Sequence, residues 1–69
     1  MKTEIGDLVY VPSSTDLLRY EKNSPIKVFK IDSPINLLIL EEEENKFGVL
    51  FQGEIWYVDK RKVYETQIY

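Results

Sequence analysis

"VLFQGEIWYV", residues 49–58, decides the fold. Bulky apolar residues run up to Gln52 and on from Glu54, with Gly53 between them. Glycine supplies the positive φ that a two-residue hairpin turn demands. The stretch therefore reads as two antiparallel strands. With Gly53-Glu54 as a type II′ turn, Phe51 faces Trp56, Val49 faces Val58 and Leu50 faces Tyr57. With Gln52-Gly53 as the turn, the register shifts and Leu50 faces Ile55. The first is preferred, because a II′ turn takes glycine first and aromatic then meets aromatic. The first five letters also match the core of a picornavirus-type protease linker. They lie inside a continuous β pattern with no break in composition on either side, so they read as part of the fold.

Outward from this hairpin the pattern stays β. "KFGVLFQ" (46–52) is preceded by "EENK" (43–46), a hairpin tip in which Asn45 is expected to tolerate a left-handed conformation. Before it, "INLLILEEE" (35–43) is the most apolar strand and is expected at the sheet centre. "PIKVFKI" (25–31) alternates and ends in the turn chemistry of "DSP" (32–34). "GDLVYVP" (6–12) is a strand bounded by Gly and Pro. "SSTDLLRYEKNS" (13–24) reads as a long loop, with Ser13 and Asp16 spaced to cap one helical turn. "DKRK" (59–62) is too polar for a strand and is expected to form a short 3₁₀ turn before the closing strand "VYETQIY" (63–69).

A chain of 69 residues makes one domain with a small core. It has no Cys and no His, which removes disulfides, thiolate metal sites and the commonest general base and metal ligand. Packing must supply stability, and 43% hydrophobic residues with 13% aromatics suffice for that. Nine Lys and Arg against twelve Asp and Glu give a net charge of −3, which opposes nucleic acid. No apolar run approaches the ~20 residues of a membrane span, and the first residues do not read as a signal peptide. Absence of Cys fits a reducing compartment, so a cytoplasmic location is expected.

The expected architecture is all-β, with five to six short antiparallel strands, a long first loop and a 3₁₀ turn before the last strand. That layout resembles a small SH3-like barrel of the non-signalling kind. The opening "GDLVYVP" looks like the first strand of such barrels, whereas the alanine-leucine-tyrosine start of signalling SH3 domains is absent. An OB-like barrel is the rival topology. The chain also resembles small proteins of tailed bacteriophages, which would place it in the host cytoplasm.

Three sets of residues invite a functional reading. Tyr20, Trp56, Tyr57 and Tyr64, with Tyr10, form the largest aromatic set. Tyr and Trp are enriched where proteins bind one another, and the barrel resemblance implies a peptide-binding surface between the long loop and the 3₁₀ turn. Trp56 is left open between core and patch, and Tyr10 is expected in the core. Lys60, Arg61 and Lys62, beside tyrosines, are a weak footprint for single-stranded nucleic acid. Glu41 to Glu44 read as a solvated hairpin tip, since neighbours on a strand diverge. No His, Cys, phosphate-binding loop or nucleophile motif supports enzyme chemistry, and no cofactor or metal is expected. The expected function is a non-enzymatic protein-binding or regulatory module acting through an aromatic patch flanked by acidic loops. A nucleic-acid-binding barrel and a small structural or accessory subunit are the alternatives.

Overall fold

The computed structural model describes residues 3–20 and 26–66. The expectations for residues 21–25 and 67–69 lie outside the described residues. The chain is all-β: β1 (Leu8–Val11), β2 (Asp16–Arg19), β3 (Lys27–Lys30), β4 (Ile35–Glu42), β5 (Lys46–Phe51), β6 (Glu54–Asp59), a 3₁₀ turn (Lys60–Lys62) and β7 (Tyr64–Glu65). All pairings are antiparallel, in the order β3-β2-β6-β5-β4-β1-β7. Among the described residues there are seven strands rather than five to six, and they form an open sheet, since no ladder there joins β3 to β7.

Strand periodicity explains the core. Val9 and Val11 of β1, Leu37 and Ile39 of β4, Phe47, Val49 and Phe51 of β5, and Trp56 and Val58 of β6 alternate onto one face. Leu17, Ile31 and Val63 complete the cluster. The segment read as a loop contributes to it. Thr15 and Leu17 are buried and Asp16–Arg19 is a strand, so no helical turn forms there. Asp16, expected to cap a turn, instead binds Lys30 Nζ across the β2–β3 pair at 3.0 Å.

The β5–β6 hairpin adopts the register that turn chemistry ranked second. Val49 pairs with Trp56, Leu50 with Ile55 and Phe51 with Glu54. Gln52 and Gly53 form the turn with φ of 52° and 77°. Both are positive, as in a type I′ turn, whose twist matches that of the flanking strands. At the other tip Glu43 N donates to Lys46 O at 2.9 Å. Asn45 does not take positive φ, which among described non-glycine residues is confined to Ser14 and Gln52. The Asp59 carboxylate caps the 3₁₀ turn by accepting from Arg61 N at 2.8 Å, as "DKRK" suggested. The central strand is β5, not β4.

Candidate functional site

A register irregularity in β4 prepares the outer face. Ile39 pairs with Val49, but Glu41, not Leu40, pairs with Gly48. One extra residue on β4 is a β-bulge, and it reverses the alternation beyond it. Glu41 would otherwise share the inward face of Ile39. Instead it joins Gly48 and Tyr57 on the outside.

Tyr57 then crosses β5. A Cβ on Gly48 would stand 3.0 Å from Glu41 Cβ, 3.2 Å from Tyr57 Cε1 and 3.2 Å from Ile55 Cγ2. Glycine in mid-strand leaves room for the ring to lie over the backbone. The Tyr57 hydroxyl reaches Glu41 Oε1 and donates to it at 2.7 Å. This bond, followed by desolvation and the charges of Glu41 and Glu43, pushes the phenol up to about 12.

Tyr20, at the end of β2, packs on Tyr57 with ring centroids 5.5 Å apart. Leu18 pairs with Tyr57 and sits beside it on the same face. Lys46 Nζ lies 4.5 Å from the Tyr20 centroid and 5.3 Å from that of Tyr57. Together with Asn45, Val58 and Asp59 these side chains line a recess of about 190 Å³. Leu18 and Asp59 also line a second, larger groove of about 590 Å³ between residues 12–16 and 61–64. Tyr64 lies in that groove, and its ring stands 6.4 Å from Tyr10.

The expected site residues therefore separate. Tyr20 and Tyr57 come together on the outer face, and Tyr64 lies farther along the groove. Trp56 points the other way. It is 8% exposed and packs edge-on against Phe51 at 6.2 Å and Phe29 at 6.3 Å, so it belongs to the core. Its indole N–H has no hydrogen-bond partner among the described residues. Tyr10, expected in the core, lies outward on β1.

The basic turn is largely committed to neighbours. Lys60 Nζ binds Glu42 at 2.8 Å and stands 5.0 Å over the Phe47 ring. Arg61 forms a two-point pair with Asp59, through Nε at 3.2 Å and the terminal guanidinium nitrogen at 2.8 Å. That pair, with the backbone bond from Arg61, lowers the Asp59 carboxyl to about 2. Lys62 is exposed along the groove.

Sequence reasoning missed Leu18, Glu41 and Lys46 as members of the outer-face site. Gly48 inside "KFGVLF" was the available signal, since glycine within a strand marks a close approach. The bulge left no signal of its own. Compared with known proteins, the chain matches no family model, no curated protein and no solved structure.

Proposed function

We propose that the protein is a non-enzymatic binding module that docks another protein on the outer face around Tyr20 and Tyr57. The observation that carries this reading is the pair of rings beside Leu18, Tyr20 exposed and Tyr57 half-buried, opening onto a groove that continues toward Tyr64. Rigid aromatic side chains next to a recess are the usual anchors of an interface. The acids Glu41, Glu42 and Glu43 flank this surface, each held by Tyr57, Lys60 or Lys46.

The strand plan supports an SH3-like arrangement as the finer description. A β4-β5-β6 meander, β1 beside β4, a 3₁₀ turn after β6, and a short closing strand on β1 follow that layout. Within it, β2 and β3 form a hairpin in the long first connection, and the larger groove lies between that connection and the 3₁₀ turn. The nucleic-acid alternative is less favoured, because Lys60 and Arg61 are already engaged by carboxylates.

Selection from a displayed random-peptide library tests the proposal. Enriched peptides are expected to lose binding to Tyr20→Ala and to keep binding to Ile5→Ala, a change at an exposed residue outside the recess. Peptides indifferent to Tyr20→Ala, or no enrichment at all, would overturn it.

A further inference from the structure

The recess between Tyr20 and Tyr57 already holds a cation. Lys46 Nζ stands within ~6 Å of both ring centroids, the range in which an aromatic face attracts positive charge. Glu41 accepts a hydrogen bond from the Tyr57 hydroxyl and so enriches that ring in electron density. Glu43, which pairs with Lys46 at 3.8 Å, adds negative charge around the same space, whereas the carboxylate of Asp59 on the recess wall is already paired with Arg61. The chemistry the site accepts is thus displayed by the protein's own side chain.

Lys46 is held by a long ion pair and two ring contacts. It leaves the hairpin tip at the first position of β5, and its side chain is 32% exposed. Its ion pair with Glu43 is long and exposed, and such pairs contribute little. Space remains beside it in the recess. Building on the docking surface proposed above, we infer that the Tyr20–Tyr57 recess receives a lysine or arginine side chain of the partner, with Lys46 filling it in the free protein. A net charge of −3 favours approach of a basic segment. Lys46 then acts as a weak internal competitor that the partner's cation displaces.

Amide NMR titration with acetyl-Ala-Ala-Lys-Ala-Ala-amide, against the same peptide with norleucine for lysine, reads this directly. The lysine peptide is expected to shift the amides of Tyr20, Asn45 and Tyr57. Lys46→Met keeps the apolar stem and vacates the charge, so it should tighten binding roughly fivefold to tenfold. Lys46→Gln serves if Met disturbs the spectrum. Tyr20→Ala, at an exposed position, should abolish the shifts while the amide dispersion stays that of a folded chain. Charge attraction alone would leave the neutral change Tyr20→Ala without effect, and that outcome overturns the inference. So does a Lys46→Met protein that binds the lysine peptide no more tightly than wild type. Norleucine binding at the same amides would overturn the cation assignment while leaving the docking surface intact. Library-selected peptides that ignore Tyr20 would remove the docking surface itself.

Discussion

Trp56 and Tyr57 leave adjacent positions of β6 on opposite faces, and each carries a measurable consequence. Trp56→Ala empties a packed position and should cost about 3–5 kcal/mol, a large share of the stability of any small domain. Trp56→Phe should cost less than half as much, because it keeps ring contact with Phe29 and Phe51 and removes an N–H that lacks a partner. Denaturant titration followed by circular dichroism compares the two. The wild-type indole should emit in the blue and resist quenching by iodide. For Tyr57 the proton is held more tightly in the folded chain, near 12 against 10.0 in the unfolded chain. The unfolded chain loses that proton first. The contribution of Tyr57 is therefore complete below about 10 and declines as the pH rises through about 12. Glu41→Gln removes the charged acceptor and should bring one tyrosine titration back toward the ordinary range, read by tyrosinate absorbance. In the sequence these two aromatics were equivalent. Alternation separated them onto two faces but could not say which face was the core, because both flank a strand rich in apolar neighbours.

At the scale of the element, the β5–β6 hairpin shows what sequence reasoning could and could not resolve. Its existence was legible from Gly53 and the flanking apolar runs. Its register was not, because both registers keep Val49, Phe51, Trp56 and Val58 on one face and the hydrophobic pattern cannot choose between them. Type I′ and II′ turns both suit the strand twist, so turn chemistry did not settle it either; the structure takes the type I′ form, with positive φ at Gln52 and Gly53. Gln52 holds φ of 52°, a conformation that asparagine tolerates better than glutamine. Gln52→Asn should therefore stabilise by roughly 0.5–1 kcal/mol, measured by thermal or denaturant unfolding. Gly53→Ala meets no atom within 4 Å yet must adopt φ of 77°, so it should destabilise by about 1 kcal/mol through the backbone alone. Gly48→Ala is the opposite case. Its φ is not positive, but the new methyl would crowd Glu41 Cβ, Ile55 and the Tyr57 ring at 3.0–3.2 Å, so these side chains must give way. It should weaken the bond to Glu41 and move the Tyr57 titration in the same direction as Glu41→Gln does.

For the whole molecule, the open order places β5 in the middle and leaves β3 and β7 as edges. Amide exchange should be slowest in β5, with β4 and β6 next, and fastest among the strands in β3 and β7. Slower exchange in β3 than in β5 would contradict this order. The all-β class was legible throughout, from period-two alternation and turn residues. The β2 strand was not, because only Leu17 and Leu18 are apolar within a polar segment. It pairs along its whole length with β3 and, at Leu18, with Tyr57 of the sequence-distant β6. Local patterning carries no trace of such non-local pairing. Charge acts at this scale too. With a net −3 and two cations of the basic turn held by carboxylates, single-stranded oligonucleotides should give no salt-dependent binding.

The turn at Gln52-Gly53 makes the protein its own unfolding gauge. A picornavirus-type protease that reads Leu50, Phe51, Gln52 and Gly53 needs them drawn out in its cleft. Here Leu50 and Phe51 are paired across the hairpin, and the peptide between Gln52 and Gly53 is folded into a left-handed bend. Folded molecules should resist cutting, and only opened ones should be cleaved, so the rate of scission tracks how often the centre of the sheet comes apart. Substitutions that loosen the hairpin, such as Gly53→Ala, lie within the recognition sequence itself. Trp56→Ala lies outside it and should sharply accelerate cleavage, and a short digestion followed by electrophoresis would rank core variants by stability without any added probe.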